Sequence, residues 1–355
     1  MYFDTLLENT KDEKLIEKIE EVSKSINRCI KEFLEQIESD SALKKYIKVF
    51  GLTGPMARGE GTLFLINDKV IGSDVDFVVL VTKPFLERKL RLVFDKVFKN
   101  CLVESSLMIP SQSIFKVPDL FFFEFVNSGK YLYGDLDYKL PIEKISKWEA
   151  LGLLANKTYP FLNSFKIKNG INPNEKFYYT CSRTILACMS AITLIERSYV
   201  PSFKGRLEKF KESKIANGFL DICQQAYDYR FHIDLSFEKR KFEDIVSYLL
   251  KTWRLCLRDY FGTDNEKVYL EKLGRKRAPI PTTLITRICF VYDYWKKYKE
   301  IKFPIQEPFV TNCLMIIKLL KKLTEGKITK EEESLRQEIV KRWGITRHFP
   351  LKNNI

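Results

Sequence analysis

The stretch GPMARGEGTLFLINDKVIGSDVDFVVLV, residues 54–81, decides how this chain folds and what chemistry it can carry. YIKVFGL (46–52) precedes it, β-branched and aromatic, and reads as a strand running into a glycine-bearing turn. TGPMARGEG (53–61) then reads as a tight loop and a short helix. Phe77-Val78-Val79-Leu80-Val81 is continuously apolar rather than alternating, the pattern of a strand covered on both faces. Side chains alternate along a strand, so Asp74 and Asp76 share a face at the mouth of this second strand. Two carboxylates so placed can bridge hard divalent cations, since Mg²⁺ takes oxygen ligands in near-octahedral geometry and shares them with substrate phosphates. Two such ions about 3.5–4 Å apart stabilise the attacking and leaving oxygens of an in-line phosphoryl transfer. The glycine turn has its own part: backbone that approaches a triphosphate closely needs residues without bulk, and a helix N-terminus offers N–H groups to anions.

An Asp-x-Asp pair alone says little, and the chain supplies a control at Asp135-Leu136-Asp137. That pair follows Gly134 with no strand behind it and no glycine loop ahead, and it reads as a solvated turn. The first pair is distinguished by a coincidence of a strand entering a glycine turn, Arg58-Gly59-Glu60 inside that turn, and Ser73-Asp74-Val75-Asp76 opening a buried strand.

Outward from this centre, residues 12–38 place Leu15, Ile19, Val22, Ile26, Ile30, Phe33 and Ile37 at helical spacing. Residues 83–100 return to the helical period through Leu86, Leu90, Val93 and Val97, and CLVESSLMI (101–109) reads as a third strand closed by Pro110. The expected fold is α+β: a mixed sheet with helices on one side, followed by an α-helical domain. After Gly134 the texture changes, and 148–165, 177–197, 207–230 and 242–261 all read as helices. GTDNEKVYLEKLGRKRAPIP (262–281) mixes turn residues with charge and reads as a linker. The boundaries drawn from sequence are therefore 1–145 for the sheet domain, 146–265 for the helical domain and 266–355 for a C-terminal helical extension.

Composition limits the classes that need considering. At 355 residues, 45% hydrophobic and 14% aromatic, the chain has ample material for a buried core and none of the bias of a disordered tail. The N-terminus, MYFDTLLENTKDEKLIEKIEE, is acidic where a secretory leader needs a basic flank and an apolar run, and no segment approaches the ~20 apolar residues of a membrane span. Eight scattered cysteines without a CxxC pair suit a reduced, cytoplasmic protein without structural zinc. The net charge of +14 admits a nucleic-acid partner, but acids alternate with bases in EKLIEKIEEVSK (13–24) and KRKFED (239–244), as on a solvated surface. Only His232 and His348 are present, so histidine-based metal sites and triads lack material, and GxxxxGK[ST] is absent.

Gly54, Arg58-Gly59-Glu60 and Ser73-Asp74-Val75-Asp76 together resemble the glycine-turn and Asp-x-Asp signature of the DNA polymerase beta-like nucleotidyltransferases. LFFFEFVNSGKYLYGD (120–135) is similar to the segment that closes that domain in small bacterial members, and 178–206 resembles more loosely the helical domains that accompany them, HEPN-like ones included. The resemblance implies transfer of a nucleoside monophosphate from an NTP to an acceptor, with pyrophosphate released and Mg²⁺ or Mn²⁺ as cofactor. It assigns Asp74 and Asp76 to the metals, and Thr53, Gly54, Arg58 and Ser73 to the nucleotide. The family's third carboxylate, on a later strand, falls to Glu104, with Glu124 as its rival. Lys204 and Arg206 are candidates for the triphosphate, and Tyr178 or Tyr179 for the base. One departure stands out: Pro55 replaces the usual serine or glycine after Gly54 and brings neither hydroxyl nor N–H. The acceptor is expected to be a small molecule or a protein side chain. An RNA 3′ end and a degenerate, non-catalytic binding protein are the alternatives, and no membrane is involved.

Overall fold

The computed structural model describes residues 2–66, 69–110, 112–168, 170–275, 308–326 and 329–346. Cys289, His348 and all of 276–307 lie outside them, including 276–281 at the end of the expected linker. The chain forms two compact units: one takes Met1–Ser146, Tyr199–Glu208 and Tyr227–Asp234, the other Lys147–Ser198, Lys209–Ala226 and Leu235–Ile355. The fold is mixed α+β, with a four-stranded mixed sheet and many helices. No helix among the described residues is long and apolar enough to cross a membrane, and none of the described cysteines forms a disulfide.

In the first unit, α1 (Asp4–Asn9) leads into α2 (Glu13–Ser39), which begins where the Asp12 side chain accepts from the Leu15 N–H at 3.3 Å. A short α3 (Ser41–Tyr46) feeds β1 (Ile47–Thr53), and α4 (Gly54–Ala57) follows at once. A hairpin of β2 (Leu63–Ile66) and β3 (Lys69–Gly72) precedes β4 (Val75–Val81). Then come α5 (Glu87–Phe98), β5 (Ser105–Met108), α6 (Leu120–Ser128) and β6 (Lys130–Tyr133). Strand order in the sheet is β5-β4-β1-β6: β1 runs antiparallel to β4 and β6, and β4 runs parallel to β5 through the α5 crossover.

The core explains why α2 and α5 belong on one face of this sheet. Phe33 of α2 meets Phe50 of β1 at 4.9 Å, while Phe98 of α5 meets Phe77 of β4 at 4.7 Å and Phe94 at 4.2 Å. Each such ring contributes roughly 1.5–3 kcal/mol by leaving water, with a further gain from tilted and stacked ring packing. The opposite face of β1 is covered as well. A β-carbon on Gly51 would lie 3.1 Å from the Phe125 ring of α6 and 2.7 Å from the Lys130 carbonyl. The expectation of helices on one side is thus corrected: α6 covers the face that Phe50 does not use, and it can come so close only because residue 51 has no side chain.

The second unit is built around α8 (Phe177–Ile195), buried on nearly all sides from Tyr179 onward and packed between α7 (Trp148–Asn163) and α11 (Phe242–Phe261). A small hairpin of β7 (Phe165–Ile167) and β8 (Ile171–Pro173) joins α7 to α8. Helices α9 (Phe203–Glu212) and α10 (Leu220–Phe231) each give residues to both units. Beyond 265, α12 (Glu266–Arg275) and α13 (Pro308–Thr324) pack on α11, and α14 (Lys330–Thr346) packs on α7. The described helices of the expected C-terminal extension therefore belong to the same compact unit as residues 147–198.

Candidate active site

The site grows from the end of β1. Thr53 pairs with Asp76 in the antiparallel register, so the chain leaves β1 beside the second residue of β4. Gly54 turns there with φ +69°, a left-handed conformation that costs a side-chain-bearing residue roughly 1–2 kcal/mol. A β-carbon at Gly54 would lie 3.1 Å from Asp76 Oδ2, so the turn's backbone rests against that carboxylate. Pro55 occupies the first turn of α4, the position where a missing N–H matters least and a fixed φ helps. The Thr53 side chain makes no capping bond, and its buried Oγ1 has no hydrogen-bond partner.

Asp74 and Asp76 are half-buried and alternate with buried Ser73, Val75 and Phe77, which keeps both on one face. Asp76 Oδ1 accepts a hydrogen bond of 2.6 Å from the Ser106 hydroxyl on β5, its partner in the parallel register. Sequence reasoning passed over Ser106, although it shares the strand parity used to select Glu104. Glu104 stands just before β5, where its carbonyl accepts from the Val75 N–H at 2.9 Å, and its side chain is exposed. Among the described residues no three His, Cys, Asp or Glu side chains are close enough together to hold a metal ion. Glu104 is thus near Asp74 and Asp76 in register without being gathered into one cluster with them.

Arg58 and Ser73, expected at the nucleotide, turn inward instead. Arg58 donates to Glu60 at 3.1 Å, Glu124 at 3.3 Å and Ser128 Oγ at 3.4 Å, with only 8% of its side chain exposed. Burial works against its charge, but the carboxylates of Glu124 and Glu60 more than offset this and raise its pKa above the ordinary arginine value. Glu124, the rival for the third carboxylate, is fully engaged in the same network: it also accepts from Arg206 at 3.3 Å and from the Tyr199 hydroxyl. Burial, ahead of the neighbouring charges, drives the Tyr199 pKa far upward, so it stays a neutral donor. Ser73 Oγ accepts from the Thr62 N–H at 3.0 Å, and Arg230 in turn donates to Thr62 Oγ1 at 2.6 Å. A long side chain's destination is set by partners far away in sequence, here 66 to 168 residues off, which local pattern does not encode.

The remaining candidates separate clearly. Lys204 is exposed at the start of α9, whose first N–H groups, on Phe203 and Lys204, donate to Glu60 at 2.8 and 3.3 Å. Arg206 is 4% exposed and lies over the Phe203 and Tyr199 rings at 4.1 and 4.7 Å, inside the network rather than at its rim. Tyr178 and Tyr179 belong to α8 in the second unit, Tyr179 buried with Arg183 over its ring. His232 is held by Asp228 at 2.8 Å and packs on Tyr227. Asp135 and Asp137 are exposed just after β6, so a strand does precede this pair, against the expectation drawn from the sequence.

No protein-family model, no curated protein and no solved structure matches this chain.

Proposed function

We propose that the chain is a divalent-metal-dependent nucleotidyltransferase of the DNA polymerase beta-like kind. It moves a nucleoside monophosphate from an NTP to a hydroxyl of a small molecule or a protein side chain. The reading is carried by one observation: the left-handed Gly54 turn lies against the Asp76 carboxylate, with Asp74 two residues away on the same face. The donor set is of hard oxygens, two carboxylates and the Ser106 hydroxyl, which suits Mg²⁺ or Mn²⁺. Asp74 and Asp76 would hold the metal, whose charge, when bound, offsets the negative charge developing on the transferred phosphoryl group and the departing pyrophosphate.

The protein's own residues supply the rest. The turn lets a triphosphate approach backbone at Gly54, whose missing side chain leaves the carboxylate of Asp76 beside it. Glu104, exposed at the edge of β5, accepts the proton of the acceptor hydroxyl as its oxygen bonds to the α-phosphorus and the bond to the β-phosphate oxygen breaks. Lys204 is the exposed cation available to the triphosphate, while Arg58 and Ser73 act indirectly by fixing the loops that carry Gly54 and Asp74.

The test is incubation with each α-labelled NTP and Mg²⁺ or Mn²⁺, with and without total RNA. Pyrophosphate release is followed alongside the position of the label. Label on a small acceptor or on protein is expected, falling at least about a hundredfold in Asp74→Asn with Asp76→Asn. The net charge of +14 keeps an RNA 3′ end in the experiment as the other acceptor, and label on RNA would select it. Equal turnover in the double variant would sink the assignment.

A further inference from the structure

Glu60 closes the loop that opens at Gly54. Its N–H donates to the Pro55 carbonyl at 2.9 Å, and the Arg58 N–H reaches the same oxygen at 3.1 Å, so the loop folds back on its own beginning. The residue is only 6% exposed, and a carboxylate withdrawn that far from water has to find its donors inside the protein. Its two oxygens turn to different parts of the chain. Oε2 accepts from Arg58 Nε at 3.1 Å, within the loop, while Oε1 accepts from the N–H groups of Phe203 at 2.8 Å and Lys204 at 3.3 Å.

Those two N–H groups stand at the start of α9, where a helix offers donors that none of its own carbonyls can meet. Residues 199–208 belong to the same compact unit as the loop. The helix has anchors of its own: Ser202 Oγ accepts from the Gly205 N–H at 3.0 Å, and the Phe203 ring packs on Phe231 with centroids 5.6 Å apart. Arg206, two residues beyond Lys204, is tied to Glu124 of α6. What Glu60 adds is a direct tie between the Gly54 loop and the backbone of Lys204, 144 residues later in the sequence. The Lys204 side chain itself is exposed.

We infer that Glu60 is a positioning residue: it fixes the backbone of Lys204 so that the ammonium meets the triphosphate of an NTP bound at the Gly54 turn. The inference rests on the reading of Asp74 and Asp76 as the metal-holding pair of a nucleotidyltransferase. An ammonium is a compact charge on a flexible four-carbon stem, so what it contributes depends on where the stem is rooted. Lys204 pairs with the triphosphate before transfer and throughout it, and loosening its root weakens ground state and transition state alike. The signature is a raised KM for the NTP at an unchanged kcat.

Steady-state transfer by the full chain, with each of the four NTPs and Mg²⁺, tests it. Glu60→Gln should raise KM for the NTP by on the order of tenfold and leave kcat within about twofold. Glu60→Asp keeps a charge beside Arg58 but is one methylene too short to hold both partners, so a folded protein with the same raised KM is expected. The decisive measurement is made in Lys204→Met: if Glu60 acts through that lysine, adding Glu60→Gln changes KM no further. A native KM in folded Glu60→Asp, a fall in kcat at native KM, or an equal rise in KM with and without Lys204 would overturn the inference and leave the assignment of Asp74 and Asp76 intact. No transfer by the native chain, or native turnover in Asp74→Asn with Asp76→Asn, would remove both.

Discussion

Gly54 and Asp76 are in contact across the mouth of two antiparallel strands, the glycine so close that a single added β-carbon would stand 3.1 Å from the carboxylate Oδ2. Gly54→Ala therefore meets two penalties, the left-handed φ of +69° and the crowding of Asp76. The expected stability loss is about 1–2 kcal/mol, which leaves the protein folded by circular dichroism. Nucleotidyl transfer should fall much further, on the order of a hundredfold, since displacing a reacting group by ~1 Å is enough for that. Retained turnover in folded Gly54→Ala would show that the turn does not face the substrate.

Asp135 and Asp137 provide the matched control. They repeat the Asp-x-Asp pattern on an exposed segment that follows β6 rather than opening a buried strand. Changing both to Asn should leave the free energy of unfolding within about 0.5 kcal/mol and transfer unchanged. A loss of transfer comparable to that of the Asp74 and Asp76 variant would remove the reason for preferring the first pair.

The strands that frame the site were legible because their composition leaves little choice. The runs ending in Leu52 and Val81 are β-branched and apolar, and alternation alone puts Asp74 and Asp76 on one side. The β2–β3 hairpin was not, since LFLINDKVIG lacks a glycine-bearing two-residue turn and merges with the loop before Asp74. Strand β6 was hidden behind the aromatic helix α6, and the placement of α6 turned on Gly51, a residue whose effect lies in what it lacks. Within the site, strand parity pointed to Glu104 and should have pointed equally to Ser106. The inward turn of Arg58 was unreadable, because its partner Glu124 is distant in sequence and has no local signature of an ion pair.

The Arg58–Glu124–Arg206 network makes a stability prediction. Glu124 has 14% of its side chain exposed and balances two guanidinium groups with 8% and 4% exposed. Glu124→Gln leaves those buried charges short of a counter-ion and should cost about 3–5 kcal/mol in urea denaturation. Arg58→Met on top of it should combine non-additively, because the Arg58 and Glu124 side chains are in direct contact at 3.3 Å. Strict additivity of the two would mean that the groups are not coupled.

Alkali should weaken the fold through groups that hold their protons when buried. Burial raises Cys29 to about 11, and Tyr2, Cys223 and Tyr227 to about 12. In each case the folded pKa exceeds the unfolded one, so the unfolded chain releases its proton first. The stabilisation is complete below the unfolded values, near 9 for cysteine and 10 for tyrosine, and disappears as pH climbs through 11 to 12. Denaturation midpoints should hold steady to about pH 9 and then decline. Cys223→Ser should soften that decline, and a midpoint rising with alkali would contradict the burial of these groups.

At the acid end the sign reverses, and Glu333 is the residue to test. Burial would raise its pKa, but hydrogen bonds from Arg336, Gln337 and the Ile167 N–H override this and hold it down to about 2. Its oxygens lie 2.8 Å from the Ile167 nitrogen and 2.7 Å from Arg336 Nη2, while Arg336 also donates to the Leu162 carbonyl at 2.7 Å. One carboxylate thus ties α14 to the end of α7 and to β7. With the folded pKa below the unfolded one, this stabilisation is present above the ordinary glutamate range and is lost as pH falls from there through about 2. Glu333→Gln should cost roughly 2–3 kcal/mol at pH 7 and flatten the acid limb of the stability profile, since the amide has no charge to lose. Hydrogen exchange should locate the loosening in 162–167 and in α14. An acid limb identical to that of the native chain would mean that Glu333 is not the carboxylate that fastens this helix.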